Sequence, residues 1–148
     1  TPRLSSAASD VYKRQVHQIS LSLGSIWISS EAQIHDEAVA LISHLPVLIS
    51  AALLNTLCTN INPSIYSLAK SISSNGFADT SRVGGGNPAL GVSMAKFNKA
   101  NLKRQLSTYR HSLDLFEQYL CEENWNEIEK ILVNVQKERK KFISKTTN

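Results

Sequence analysis

Apolar residues in the second half of the chain recur every three or four positions, which places them on one face of a helix. The clearest run extends from Leu102 to Leu120, and its apolar positions are separated by 4, 3, 4, 3 and 4 residues. A second run, from Trp125 to Phe142, keeps the same rhythm. Asn124 and Glu127 form a capping-box-like pair between the two runs. The pattern therefore predicts an antiparallel helical hairpin that turns near Glu122.

A third helical pattern extends from Ala38 to Leu53 and contains Pro46. Proline has no N–H, so the carbonyl of Ile42 lacks its usual partner and a kink is expected. Ser43 and His44 would then lie at a bend with spare backbone hydrogen-bonding capacity, which suits a ligand site. A kink that serves packing alone, with His44 hydrogen-bonded in the core, explains the same residues.

Two Asn-Pro pairs, Asn62-Pro63 and Asn87-Pro88, predict the first residues of two further helices. The fold class predicted from these patterns is all-α, with about five helices. One β-prone run, from Ser25 to Ser29, predicts a short strand, which cannot form a sheet by itself.

Composition describes an ordinary soluble globular domain, with 42% hydrophobic and 19% charged residues among 148. No uninterrupted apolar run reaches the roughly 18 residues that a membrane span needs, so no membrane role is predicted. Cys58 and Cys121 show no metal-ligand spacing, and no metal site is predicted. We expect both thiols to be reduced and at least half-buried, and the chain to be cytoplasmic.

The first fifteen residues are interpreted separately, because Asp10 to Gln15 reads as a translated sequencing adaptor. We expect residues 1–15 to be a non-native leader; a natural, mildly basic N-terminus is the alternative. The leader carries half of the formal net charge of +4. Without it the basic balance no longer favours a nucleic-acid partner, and none is predicted.

Arg82 is the strongest candidate for a binding residue. A guanidinium presents a rigid fork of donors that suits a carboxylate, and Asp79, three residues earlier, can orient it. The bland interpretation is a surface ion pair beside a flexible loop. The glycines from Gly84 to Gly86 lack the strand and the Lys-Ser/Thr of a phosphate-binding loop. They favour close passage of the backbone past a neighbour or a ligand.

Three segments together carry a family resemblance: HDEAVALISHLP (His35–Pro46), GFADTSRVGGGNPALG (Gly76–Gly91) and MAKFN (Met94–Asn98). In this order and at this separation they resemble the TyrA family, the prephenate and arogenate dehydrogenases of tyrosine biosynthesis. The cyanobacterial arogenate dehydrogenases are the most similar. The resemblance covers most of the chain from Ile26 to Phe142.

The resemblance implies that residues 31–148 are the helical C-terminal domain, which binds substrate and forms a homodimer. It implies that residues 16–30 are the remnant end of a nucleotide-binding domain. The chain contains no Gly-x-Gly-x-x-Gly, so the cofactor, NADP or NAD, would be bound mainly by that other domain. The resemblance implies that the catalytic histidine also belongs to the nucleotide-binding domain. No catalytic role is therefore assigned to His17, His35, His44 or His111.

By matching positions, Arg82 would bind a carboxylate of arogenate or prephenate while Asp79 orients it. Ser43 and His44 would line the same pocket, and His35 would lie close to it. In the family reaction, hydride passes from the substrate ring to the nicotinamide as carbon dioxide leaves and the ring becomes aromatic.

Two positions depart from the family pattern. Val47 stands where many prephenate-using relatives have histidine, and Ala78 where relatives often have a basic residue. The first departure favours arogenate. A helical interaction module without a ligand is the alternative function, and it predicts no effect of changing Arg82. A different dehydrogenase family with a helical C-terminal half would not explain the run from Asp79 to Pro88.

Overall fold

The computed structural model of the protein describes residues 6–59 and 61–144. The helices of these residues, in chain order, are α1 (Ser6–Ser22), α2 (Ala32–Val39), a π-helical turn (Ala40–His44), α3 (Leu45–Thr56), α4 (Pro63–Ile72), α5 (Asn75–Ser81), α6 (Pro88–Phe97), α7 (Lys99–Cys121) and α8 (Trp125–Ser144). The all-α prediction is confirmed. The estimate of about five helices was low, because α1 lies largely in the excluded leader and the short α5 has no apolar periodicity to mark it.

Contacts divide the chain into two compact units, residues 1–35 and 36–148. In the first unit, α1 is followed by a non-helical segment, and the ring of His17 lies 5.2 Å from that of Trp27. The strand expected from Ser25 to Ser29 is not formed, because the described chain offers it no neighbouring strand for backbone pairing. Of the expected leader, residues 6–15 belong to α1 and residues 1–5 lie outside the described residues.

The core of the second unit lies where α7 crosses the π-helical turn and α3. Ala40, Leu45 and Leu102 are the buried hydrophobic residues there, at 0%, 6% and 3% exposure. Leu102 is the first member of the apolar seam on α7. Further along that seam Leu113 and Leu120 are 50% and 55% exposed, so only its beginning is covered by this chain.

The predicted helix starts are confirmed by their caps. The side-chain oxygen of Asn62 accepts the N–H of Ser64 at 2.8 Å, and that of Asn87 accepts the N–H of Ala89 at 2.9 Å. Helices α7 and α8 contact each other across a tight turn in which Glu123 has a positive φ of 53°. The predicted hairpin therefore forms with its turn at the expected place.

One sequence expectation about exposure, the burial of the two thiols, was wrong. Cys58 and Cys121 are both exposed free thiols, because each lies at the C-terminal end of a helix that faces solvent. The continuous helical run Ala32–Thr56 is, by length and composition alone, apolar enough to cross a membrane, although core helices of soluble proteins meet the same criterion. Only 17% of its most apolar window is buried inside this chain, so much of its apolar surface faces outward.

We predict that Leu102→Ala destabilises the second unit by about 2–5 kcal/mol, because it opens a cavity where α7 meets the π-helical turn. Lys103→Ala, at the exposed neighbouring position, should change the free energy of unfolding by less than about 0.5 kcal/mol. Urea unfolding followed by circular dichroism measures both. Equal effects of the two substitutions would show that the core does not lie at Leu102.

Candidate functional site

The turn that contains Ser43 and His44 is π-helical. Its final hydrogen bond runs from the N–H of Leu45 to the carbonyl of Ala40, five residues back, and Pro46 follows in the first turn of α3. The sequence predicted a kink at Pro46, and a π-helical turn, one of the known causes of helix kinks, lies directly before this proline. Single π-helical turns inside α-helices occur frequently at functional sites.

His44 is half-buried, and its ring is contacted by Asn98 at the junction of α6 and α7. The amide nitrogen of Asn98 lies 3.5 Å from Nδ1 of His44 and donates to the carbonyl of Asp36 at 2.6 Å. Because an amide nitrogen is only a donor, Nδ1 of His44 is the acceptor in this contact, and Nε2 is the ring nitrogen that faces away from it. Ser43, the preceding residue, is exposed.

A chain of polar contacts extends from this pair along α7. Asn101 donates to the side-chain oxygen of Asn98 at 2.8 Å, and Arg104 donates to Asn101 at 2.6 Å. Arg104 also forms an ion pair with Glu37 of α2 at 2.9 Å. The first turns of α7 are thereby fixed to the segment before His44. Sequence reasoning missed Asn98 as a site residue, although it ends the MAKFN segment between two helical patterns.

Arg82 caps the C-terminal end of α5 and is exposed. Asp79 is exposed one turn earlier on the same helix. The ion pair expected between them is not formed: in the described chain, neither Asp79 nor Arg82 forms an ion pair. The position of Arg82 is therefore set by its backbone rather than by Asp79.

That backbone is fastened to α3 by Ser50, whose side chain is only 2% exposed. The hydroxyl of Ser50 donates to the carbonyl of Thr80 at 2.8 Å and accepts the N–H of Gly84 at 2.8 Å. A Cβ on Gly84 would lie 2.2 Å from the backbone nitrogen of Ala51, a distance that no side chain tolerates. The predicted close approach at the glycines is confirmed for Gly84, and the neighbour is α3.

A cavity of about 340 Å³ lies beside this loop, between α3 and α6. Its lining is mostly apolar and includes Val47, Val83 and Gly91. A second cavity of the same volume lies near α4 and α5 and includes Tyr66 and Lys70. None of the five predicted substrate-binding residues lines either cavity, although Val83, the neighbour of Arg82, lines the first.

The glycine loop and the following helix do not fit a dinucleotide phosphate. The side-chain oxygen of Asn87 already accepts the N–H groups of Ala89 and Leu90, the donors that a helix N-terminus offers to an anion. The N–H of Gly84 is directed to Ser50. The described residues also include no strand from which a nucleotide-binding turn begins.

The structure brings the predicted site residues together only in part. Ser43 and His44 lie immediately before α3, and the Arg82 loop packs on the middle of that helix. No hydrogen bond or ion pair in the described chain joins Arg82 to either of them. His35 belongs to the first unit and is exposed.

Comparison with known proteins gives one family. Residues 31–134 match the family model described as prephenate dehydrogenase, dimerization domain. The structure of Synechocystis arogenate dehydrogenase is similar with 36% identity and a TM-score of 0.84, over 93% of this chain and 50% of that one. Prephenate dehydrogenase of Aquifex aeolicus, in complex with hydroxyphenyl propionate and NAD⁺, gives 20% identity and a TM-score of 0.82, over 94% and 48%.

The matched region contains every candidate residue of the second unit, from the π-helical turn to the Asn98 junction. The chain spans about half the length of the solved relatives, and it matches their helical C-terminal domain. The chain therefore belongs to the prephenate dehydrogenase family.

Proposed function

We propose that this chain is the substrate-binding and dimerisation part of an arogenate or prephenate dehydrogenase. The observation that carries the proposal is an exposed guanidinium, Arg82, at the end of a helix whose following loop is anchored to a buried hydroxyl. A carboxylate bound by such a fork gains about 1.5–3 kcal/mol from the charge-assisted bonds.

The proposed roles differ among the five residues. Arg82 binds a substrate carboxylate, and Asp79 becomes its orienting partner once the ligand is bound. His44 presents its Nε2–H to the substrate, and Ser43 offers its exposed hydroxyl beside it. His35 lies at the edge of the site in the complete enzyme.

The cofactor in this proposal is NADP or NAD, which accepts the hydride and is held by the half of the enzyme that this chain does not span. The lack of fit at the Asn87 helix start supports that division. A cytoplasmic location is part of the proposal, supported by the two free thiols and the small-molecule chemistry. No nucleic-acid or membrane partner is proposed.

Of the two substrates, arogenate is the one that we propose. Val47 lines the cavity beside the Arg82 loop, so the position where many prephenate-using relatives have histidine faces apolar surroundings here. The two substrates share both carboxylates and differ in the side chain, which carries a keto group in prephenate and an amino group in arogenate. A neutral valine offers no donor to that keto oxygen.

A homodimer is proposed because too little of the apolar surface is covered within one chain. The exposed apolar residues include much of both hairpin helices. They are Leu113 and Leu120 on α7, and Trp125, Leu132, Val135, Phe142 and Ile143 on α8.

This proposal predicts activity in a reconstructed enzyme. In that enzyme, residues 31–148 replace the matching half of Synechocystis arogenate dehydrogenase and are joined to its other half. The reconstructed enzyme should reduce NADP with arogenate, whereas the 148-residue chain alone should not. Arg82→Ala should weaken substrate binding by about 2–5 kcal/mol. Arg82→Lys should remain impaired, since a point charge does not replace the fork.

The control for that prediction is Arg110→Ala, which removes the same charge from an exposed position on α7. Steady-state rates with arogenate and prephenate give kcat and KM for each variant. Constants within twofold of the parent for folded Arg82→Ala would leave the helical interaction module as the better account. Turnover by the chain alone would refute the division of roles.

The second prediction is that the chain is a dimer at tens of micromolar in light scattering, because the outer part of the hairpin needs cover. Leu120→Glu should shift it to monomer by placing a charge in that apolar surface. Ser112→Glu should leave the dimer intact, because Ser112 directs its hydroxyl to a carbonyl of its own helix. The proposal would be contradicted if the unsubstituted chain were a monomer at about 10 µM, a concentration at which even a dimer of modest affinity forms.

A further inference from the structure

We propose that Ser50 is a positioning residue for Arg82, an inference that rests on the proposed function of Arg82. Its hydroxyl bonds the chain on both sides of the arginine, two residues before it at Thr80 and two residues after it at Gly84. A single buried atom thereby fixes the backbone from which the guanidinium projects.

The hydroxyl of Ser50 acts as a donor in one of these bonds and as an acceptor in the other. It donates its proton to the carbonyl of Thr80 and accepts the N–H of Gly84, so neither backbone group of the loop is left without a partner. Ser50 itself is 2% exposed, so its side chain is shielded from bulk solvent. Loss of the hydroxyl would remove the partner of the Thr80 carbonyl and of the Gly84 N–H at a partly buried position.

Gly84 is the second residue that this contact between the loop and α3 requires. A Cβ there would lie 2.3 Å from the backbone carbon of Ser50 and 2.7 Å from its hydroxyl, so only glycine brings the loop this close to α3. The next residue differs: a Cβ on Gly85 would make ordinary contacts at 3.8 Å with Leu54 and 3.9 Å with Arg82.

This contact also explains how Arg82 is held without an ion pair to Asp79. The backbone of Arg82 is helical, with φ −55° and ψ −48°, and it continues α5 directly into the anchored loop. With both flanks fixed, the side chain loses less freedom when it binds a carboxylate, which favours affinity.

The test is a double-mutant cycle in the reconstructed enzyme. Ser50→Ala should raise KM for arogenate about tenfold while Arg82 is present, and less than twofold in the Arg82→Ala background. Thr56→Val, which removes an exposed hydroxyl from the same helix, should leave KM unchanged in both backgrounds. Gly84→Ala should behave like Ser50→Ala, and Gly85→Ala like the parent.

The outcomes separate the two proposals. If Arg82→Ala has no effect, the proposed function and the role of Ser50 both fall. If Arg82→Ala is harmful and Ser50→Ala is equally harmful in either background, only the positioning role is overturned.

Amide hydrogen exchange of the unmodified 148-residue chain tests the anchor without any substitution. The N–H of Gly84, bonded to the buried hydroxyl, should exchange at least tenfold more slowly than that of the exposed Gly86, which bonds the carbonyl of Val83 at 3.4 Å within the loop. Equal exchange of the two amides would overturn the inference even if the Ser50 variants proved unable to fold.

Discussion

The hydrogen-bonded contact between the Ser50 hydroxyl and the loop of Arg82 is the constraint on which the candidate site depends. It joins α5, the glycine loop and α3 at one buried point. Helix α3 in turn begins at the π-helical turn that carries Ser43 and His44 and packs on α7 at Leu102. The anchor thus relates the arginine to the same helix as the histidine, although the two side chains do not touch.

The sequence predicted the parts of the fold that depend on local signals. The two Asn-Pro pairs became capped helix starts, and the 3–4 spacing from Leu102 onward became the hairpin, because caps and amphipathic periodicity act within a few residues. The prediction of a remnant strand from Ser25 to Ser29 was wrong, because a strand forms only beside a neighbouring strand, which the local sequence cannot supply.

The site was predictable in its residue types and not in its connections. The spacing of Asp79 and Arg82 predicted an ion pair, yet the hydrogen bonds between the loop backbone and Ser50 determine the geometry. Ser50 is one of many serines in the chain, and its sequence context does not distinguish it. The link from Asn98 to His44 crosses 54 positions, and the link from Gly84 to Ser50 crosses 34. Contacts of that range follow from tertiary packing, which periodicity does not specify.

The exposed apolar surface of this fold must be covered by a partner surface. The run Ala32–Thr56 and the outer part of the hairpin carry more apolar surface than this chain covers, and the match to a dimerization domain includes the first and the hairpin as far as residue 134.

The most direct test of the central claim is a crystal structure of the reconstructed enzyme with hydroxyphenyl propionate, the ligand of the Aquifex complex. The account predicts its carboxylate in a two-pronged contact with Arg82 at about 2.7–2.9 Å, with Ser50 still bonded to the loop on both sides. A carboxylate bound elsewhere, with Arg82 turned to solvent, would contradict it.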